Sequence, residues 1–342
     1  MAKTLPRSLY RLTRTCVVVG VCLGILAACT VAQVEVVSTS KPTTADKFMA
    51  ATANPFATEA ALEMLREGGS AADAAIAAQM VLTLVEPQSS GIGGGAFMMY
   101  YDADTGDIGA YDGRETAPAS ATPDMFLGPD GTPRKWPDVV VGGLSVGVPG
   151  VLRMLELVHK EYGRLPWKRL FEPAILLARD GFPVSERLNT LSAGDDNLRV
   201  FSDTADYFFD DAGKPRPVGS ILANPALART LDLIANNGAD IFYQGLIADD
   251  IARATRTAKQ NPGGMVAADL TAYQAKKRAP VCLPYHKYLV CGMPPPSSGG
   301  ITTLQILGML QEFDMAAMAP GSALSVHLVA EAGKLAVAER DD

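Results

Sequence analysis

The sequence has 342 residues, of which 48% are hydrophobic and 20% are charged. This composition is typical of a folded globular protein and excludes a disordered, collagen-like or disulfide-knot chain. The net charge is −7, and no block of the sequence is rich in lysine and arginine. A surface that follows phosphate groups is therefore not predicted, and nucleic acid is not expected as a partner.

The first 28 residues have the organisation of an export signal. Basic side chains precede the apolar run from Cys16 to Leu26, which is too short to span a membrane. Leu26-Ala27-Ala28-Cys29 resembles the cleavage box of bacterial lipoproteins, in which Cys29 becomes the lipidated first residue; ordinary cleavage after Ala32 is the alternative. We expect residues 1–28 to be a lipoprotein signal peptide and 29–47 a tether. The protein is then expected in the periplasm or cell envelope, anchored by lipid.

Three cysteines remain after this processing, Cys29, Cys282 and Cys291. The sequence contains no Cys-x-x-Cys pair and no cluster of histidines, which are the usual signals of a metal site. Neither a metal nor a cofactor is expected.

The folded body is predicted to begin with two helices. Asn54 and Pro55 are favoured residue types for an N-cap and the first helical position, and Gly68-Gly69 predicts the end of that helix. Ser70 and Asp73 then resemble a capping box at the start of an alanine-rich run that ends near Leu84. This second helix carries small side chains on every face, which favours a buried position.

A glycine-rich segment, Gly91 to Gly95, follows the helix pair. With Ala96 it matches the dinucleotide-binding pattern literally, but the strand-like run Ala96–Tyr101 occupies the place where that motif needs a helix. The glycines are therefore interpreted as a tight turn. A second strand around Gly109–Tyr111 is predicted to pair with the first through a hairpin at residues 104–106.

The next segment contains a second motif with two interpretations. Residues 118–138 are predicted to form a surface loop, Val139–Val141 a strand, and the residues from Val151 to Lys160 a helix. Gly-Leu-Ser145-Val-Gly matches the nucleophile elbow of serine hydrolases, with His286 or His327 as a possible base. The intervening Pro149 and Gly150 favour a plain connector instead.

Arg114 lies directly after the second strand of the hairpin. Strand ends open onto clefts in layered folds, where a guanidinium group can hold a carboxylate through two hydrogen bonds. The alternative is a surface ion pair with Asp112 or Glu115.

The residues up to about Leu270 are predicted to be mostly helical, and a hairpin follows. Strands Val281–Tyr285 and Tyr288–Cys291, joined by two residues, would place Cys282 opposite Cys291. The pair is close enough for a disulfide in an oxidising compartment, whereas two free thiols packed side by side are the alternative.

Seven segments in order resemble the large-subunit half of the γ-glutamyltransferases, also called glutathione hydrolases. They are Asn54-Pro55 with the alanine-rich run to Ala78, Gly91–Phe97, Asp112–Pro118, Gly147–Gly150, Tyr162–Trp167, Leu177–Phe182 and Pro294–Gly300. The resemblance extends from about Phe48 to the last residue, so residues 48–342 are identified as the large-subunit region.

This resemblance implies an N-terminal-nucleophile hydrolase with an α+β fold, a four-layer αββα sandwich made as one precursor. Such a precursor cuts itself to expose a threonine, which attacks the γ-glutamyl amide of glutathione and forms an acyl-enzyme. Water, an amino acid or a dipeptide then takes the glutamyl group. The arginine of the family's Arg-Glu-x-Ala-Pro stretch falls on Arg114, which implies that Arg114 grips the α-carboxylate of the substrate.

In this family the nucleophile opens the small subunit. We therefore expect the catalytic threonine beyond Asp342, an incomplete sandwich within residues 48–342 and a small subunit from the same precursor as partner. No catalytic residue is assigned within the chain. A non-catalytic γ-glutamyl-binding protein is the alternative that retains Arg114 without a nucleophile.

Overall fold

The computed structural model describes residues 44–341. The expected signal peptide, Cys29 and most of the tether lie outside the described residues. By its contacts, the chain divides into two units, Met1–Lys47 and Phe48–Asp342. All helices and strands of residues 44–341 lie in the second unit.

The bounds of the elements in this unit are as follows. The α-helices are α1 (Pro55–Arg66), α2 (Ala71–Val85), α3 (Trp136–Val140), α4 (Val151–Tyr162), α5 (Glu172–Asp180), α6 (Glu186–Gly194), α7 (Ser202–Phe208), α8 (Pro225–Asn237), α9 (Asp240–Tyr243), α10 (Leu246–Arg256), α11 (Ala267–Ala272), α12 (Gly299–Leu310) and α13 (Ala323–Asp341). The strands are β1 (Ala96–Tyr101), β2 (Ile108–Gly113), β3 (Phe182–Pro183), β4 (Ile221–Leu222), β5 (Lys276–Arg278), β6 (Val281–Tyr285) and β7 (Tyr288–Gly292).

The first two helices begin as the sequence predicts. The Asn54 side chain accepts a hydrogen bond from the backbone N of Phe56, and Pro55 occupies the first helical turn of α1. Ser70 and Asp73 form a reciprocal capping box at the start of α2, with distances of 3.1 Å and 2.8 Å. Both predicted caps are confirmed.

Helix α2 lies in the centre of the hydrophobic core. Ile76, Met80 and Leu84 are almost completely buried, as are most of its alanines. The helix packs against α1, α4 and α5. Small alanine side chains allow these neighbours to approach on several sides, which confirms the predicted burial.

The predicted hairpin is the start of a three-stranded antiparallel sheet with the order β1-β2-β5. Met98 pairs with Tyr111, and the strands are joined through residues 102–107. Helix α4 packs on this sheet, where Tyr100 stacks on Tyr162 with ring centroids 4.0 Å apart. The other face of β1 is more open, since Met99 and Tyr101 are exposed.

The described residues form an α+β arrangement with sheets of three, two and two strands. The mixed helix and sheet content confirms the predicted class at this level. The second stacked sheet of an αββα sandwich stays a prediction.

The strand predicted at Val139–Val141 is wrong, because Trp136–Val140 form the short helix α3. Pro137 lies in its first turn, where a missing N–H is tolerated. The Asn261 side chain donates hydrogen bonds to the carbonyl oxygens of Asp138 and Val141, at 2.8 Å and 2.9 Å. This long-range contact fixes the helical turn and overrides the strand preference of three consecutive valines.

The last part of the unit contains the hairpin β6-β7 and the helices α12 and α13, which pack together. The hairpin has the predicted register, with Cys282 opposite Cys291 and Tyr285 opposite Tyr288. Across residues 44–341, every helix is too short or too polar to cross a lipid bilayer.

Candidate functional site

Arg114 is the first residue after β2 and opens a loop of residues 114–117, called the Arg114 loop below. Its side chain is 56% exposed and forms an ion pair with the neighbouring Glu115. The local ion pair considered from sequence is therefore present. A half-exposed guanidinium at a strand end still has donors free to meet a carboxylate from solution.

Both backbone polar groups of Arg114 have partners in the fold. Its N–H donates to Asp112 Oδ1 at 2.8 Å. Its carbonyl oxygen accepts a hydrogen bond from the Tyr273 hydroxyl, also at 2.8 Å. The backbone from which the guanidinium extends is thus fixed on two sides.

Asp112 is in turn held by Arg278 from the neighbouring strand β5. Arg278 Nε and Nη2 each lie 2.8 Å from Asp112 Oδ2, and the Asp112 side chain is only 7% exposed. A buried carboxylate of this kind requires such partners. Asp112 is therefore engaged with Arg278 and the Arg114 backbone, and the Arg114 guanidinium pairs with Glu115 instead.

Glycines allow three segments to converge beside Arg114. A Cβ on Gly95 would lie 2.4 Å from Glu115 Oε2, and one on Gly147 would lie 2.7 Å from Glu115 Cβ. A Cβ on Gly150 would lie 2.1 Å from the Tyr273 hydroxyl. Close packing at these positions requires glycine, which explains their occurrence in this part of the sequence.

Hydrogen bonds between the segments complete this arrangement. The carbonyl oxygen of Gly94 accepts from the backbone N of Gly150 and of Val151, at 2.9 Å and 3.2 Å. The Gly94 carbonyl oxygen therefore accepts from two N–H groups at the start of α4, which have no acceptor within the helix itself. Thr116 and Val148 form a β-bridge. The glycine-rich turn at Gly91–Gly95 thus supports the Arg114 loop. This role agrees with the interpretation of these glycines as a tight turn and not as a nucleotide-binding motif.

Tyr273 is a permanent hydrogen-bond donor at this site. Burial raises the pKa of its hydroxyl to about 12, and the nearby carboxylates of Asp112 and Glu115 act in the same direction. The hydroxyl consequently keeps its proton at physiological pH.

Ser145 lacks the setting of a nucleophile elbow. The element before it is the helix α3, and its exposed hydroxyl donates to the carbonyl oxygen of Val140 at 2.9 Å. Within the described part of the chain, no hydrogen bond joins Ser145 to a histidine. His286 lies in the β6-β7 turn and His327 in α13. The strand that favoured the serine-hydrolase interpretation is therefore missing.

The structure joins Cys282 and Cys291 by a disulfide across the β6-β7 hairpin, with Cα atoms 4.1 Å apart. Across residues 44–341, no group of three or more His, Cys, Asp or Glu side chains is placed to hold a metal ion.

Tyr273 and Arg278 are the residues near the site that sequence reasoning missed. They are 159 and 164 positions from Arg114, and no local pattern connects them to it. The one signal in the sequence was Asp112, two residues before Arg114, because a carboxylate that becomes buried beside a strand requires a cationic or N–H partner.

Comparisons with known proteins agree with the resemblance of the seven segments. The family model described as gamma-glutamyltranspeptidase matches residues 57–342. The glutathione hydrolase proenzyme of Escherichia coli (strain K12) is 39% identical over 303 residues, which cover 88% of this chain and 51% of that protein. The glutathione hydrolase proenzyme of Bacillus subtilis (strain 168) is 40% identical over 294 residues, covering 85% and 49%.

Among solved structures, the γ-glutamyltranspeptidase of Helicobacter pylori superposes with a TM-score of 0.83 at 34% identity, covering 88% of this chain and 85% of that one. The chain spans about half the length of the two bacterial proenzymes. Since the match is extensive in both sequence and structure, the chain belongs to the γ-glutamyltranspeptidase family.

Proposed function

We propose that the complete protein is a γ-glutamyltransferase, or glutathione hydrolase. It would cleave the γ-glutamyl amide of glutathione and pass the glutamyl group to water, an amino acid or a dipeptide. The observation that carries this proposal is the placement of Arg114 at the end of β2, in a chain that belongs to the family.

Arg114 is proposed to bind the α-carboxylate of the γ-glutamyl donor. A guanidinium can donate two parallel hydrogen bonds to a carboxylate, which fixes both position and orientation. The incoming carboxylate would meet the exposed side of the guanidinium, while Glu115 stays on its other side. Anchoring this end of the substrate leaves the γ-amide extended toward the nucleophile, and positioning of this kind lowers the barrier to acyl transfer.

The nucleophile is proposed to be a threonine outside residues 1–342, on a small subunit released from the same precursor. The α-amino group of that threonine would take the hydroxyl proton as the oxygen attacks the γ-carbonyl. Residues 48–342 would then contribute one part of an αββα sandwich that the small subunit completes. The coverage of the two proenzymes, 51% and 49%, supports this division.

We also propose that the protein is exported and lipid-anchored through Cys29. The support is the basic, apolar and small-residue sequence of residues 1–29. In cells fed labelled palmitate, the protein should become labelled and sediment with membranes. A Cys29→Ser variant should do neither; labelling of that variant would contradict the assignment.

The catalytic proposal is tested with the complete protein and a γ-glutamyl anilide. We expect anilide release, and Arg114→Ala should weaken donor binding on the order of 2–5 kcal/mol, since an ion pair covered by substrate loses one partner. Arg66→Ala is the matched control, because Arg66 is also an exposed arginine paired with a glutamate, Glu59, but lies on α1. Unchanged donor kinetics in Arg114→Ala would contradict the assigned role.

The non-catalytic alternative predicts a different result in the anilide assay, since a γ-glutamyl-binding protein would release no anilide. Calorimetry would show that this protein binds glutamate and that Arg114→Ala loses the binding.

A further inference from the structure

We propose that Tyr273 is a positioning residue for Arg114, which sets the strength of carboxylate recognition without touching the substrate. This inference rests on the proposed function. Its basis is the hydrogen bond from the Tyr273 hydroxyl to the Arg114 carbonyl oxygen, 2.8 Å long.

The direction of this hydrogen bond is fixed. A carbonyl oxygen can only accept, so Tyr273 must be the donor, and no alternative donor contacts this oxygen in the described residues. Tyr273 is 6% exposed, which limits competition from water. Loss of the hydroxyl would leave the carbonyl of the residue that carries the guanidinium without its protein partner.

Tyr273 is itself held in a defined position. Its backbone N donates to the carbonyl oxygen of Leu270, in the last turn of α11, at 3.1 Å. Its ring stacks on Tyr243, with centroids 6.0 Å apart and planes 13° from parallel. The Tyr243 hydroxyl accepts from the backbone N of Arg153 in α4, at 3.2 Å. The stacked rings, which Tyr243→Phe would keep, therefore hold the Tyr273 hydroxyl beside Arg114.

The same chain segment also holds the other backbone group of Arg114. Arg278, five residues after Tyr273, fixes Asp112, whose Oδ1 accepts from the Arg114 N–H. One segment, residues 273–278, thus determines where the Arg114 backbone lies. Bidentate recognition depends on placement within about 0.5 Å, so a small backbone shift should weaken carboxylate binding selectively.

Gly150 shows how closely the hydroxyl is accommodated. A Cβ at this position would lie 2.1 Å from the Tyr273 hydroxyl, so a glycine in the 147–150 segment is what allows the hydroxyl to pass to Arg114. A tyrosine that served the core by its ring alone would not require this space.

The test compares Tyr273→Phe with Tyr243→Phe in the complete protein. Both changes remove one buried hydroxyl that bonds to backbone and keep the stacked rings, but only Tyr273 contacts Arg114. The donors are γ-glutamyl anilide and 4-aminobutyryl anilide, which lacks the α-carboxylate. We expect Tyr273→Phe to raise KM for the glutamyl donor about three- to tenfold, the range of one hydrogen bond, with kcat within about twofold.

The preference for the glutamyl over the aminobutyryl donor should fall by the same factor in Tyr273→Phe and stay unchanged in Tyr243→Phe. In an Arg114→Ala background, Tyr273→Phe should have no further effect on kcat/KM. A general structural effect of Tyr273→Phe would instead lower kcat/KM by the same factor in both backgrounds.

Each other outcome overturns a specific statement. If Arg114→Ala weakens donor binding but Tyr273→Phe and Tyr243→Phe have equal kinetics, the role of Tyr273 is contradicted while the proposed function stands. Equal losses for both donors would make Tyr273 merely structural. Absence of turnover in the unsubstituted protein would remove the proposed function and this inference with it.

Discussion

Asp73 Oδ2 accepts a hydrogen bond from the backbone N of Leu165, 92 residues away, at 3.1 Å. The same oxygen accepts from Arg164 N at 2.9 Å and from Ser70 N at 2.8 Å. Asp73 is fully buried at the start of α2. One carboxylate therefore caps a helix and fixes the turn that follows α4, although its Oδ1 has no hydrogen-bond partner within residues 44–341.

Replacing Asp73 by alanine should destabilise the protein by about 2–4 kcal/mol, because three backbone N–H groups lose a fully buried carboxylate acceptor. Urea unfolding measures the change. Asp269→Ala is the control, since Asp269 also caps a helix, α11, and also accepts from a distant backbone N, that of Ala119, but lies in an exposed setting. Its loss should cost about 1 kcal/mol. Equal effects at the two sites would show that burial of Asp73 adds nothing.

Two glycines of the same turn should respond differently to alanine. At Gly95 a Cβ would lie 2.4 Å from Glu115 Oε2 and 2.8 Å from the carbonyl oxygen of Gly113. At Gly93, apart from its two neighbours in the chain, no atom of the described residues would lie within 4 Å of a Cβ. Gly95→Ala should therefore cost about 1–3 kcal/mol and weaken donor binding by displacing Glu115. Gly93→Ala should change the free energy of unfolding by less than about 0.5 kcal/mol. Thermal unfolding and donor KM check both; a tolerated Gly95→Ala would contradict the close packing.

Local patterns in the sequence predicted the elements whose determinants are local. Asn54, Ser70 and Asp73 predicted two helix starts because capping depends on residues three or fewer positions apart. Alternation and turn residues predicted β1, β2 and the register of β6 with β7. Arg114 was found from its place after a strand, and its substrate role came from the resemblance.

Long-range contacts account for what could not be predicted. The helix α3 depends on Asn261, more than 120 residues from Asp138, and three valines alone favour a strand. Tyr273 and Arg278 reach Arg114 only because β5 pairs with β2. Sequence patterns describe the periodicity of a segment, whereas its partners are decided by the packing of the whole unit.

The disulfide between Cys282 and Cys291 has a direct chemical test. Trypsin cleaves after Lys287, which lies between the two cysteines, so the peptides stay joined only through a disulfide. We expect the protein, alkylated without reductant, to give a linked pair of peptides 279–287 and 288–334 that separates on reduction. Alkylated Cys282 and Cys291 in the unreduced sample would instead indicate two free thiols.

The hairpin should also lose stability without this disulfide. A closed loop of this length contributes at most about 3 kcal/mol through the entropy of the unfolded chain. The double variant Cys282→Ser/Cys291→Ser should therefore unfold at lower urea concentration than the oxidised protein, and at about the same concentration as the reduced one. A variant as stable as the oxidised protein would show that the bond contributes nothing.

Glu161 should make stability depend on pH in the acid range. Its Oε2 lies 2.6 Å from Lys277 Nζ and 2.6 Å from the Tyr111 hydroxyl, in a cluster that joins α4 to β2 and β5. Burial alone would raise the pKa of Glu161, but hydrogen bonds from Lys277 and Tyr111 outweigh it and lower the pKa below its ordinary value of 4.5. The charged carboxylate therefore stabilises the fold above the unfolded-state pKa, and this contribution is lost as pH falls through the folded-state pKa.

Glu161→Gln isolates this contribution. At about pH 7 the variant should be less stable than the unsubstituted protein by about 1 kcal/mol, since it loses the charged acceptor. Between about pH 5 and pH 3 the difference should shrink, because protonation removes the same charge from the unsubstituted protein. Urea unfolding across this range measures it. Glu59→Gln, which breaks an exposed pair with Arg66 on α1, should change stability little at any of these pH values. A Glu161→Gln difference that stays constant with pH would assign the effect to packing of the side chain and not to its charge.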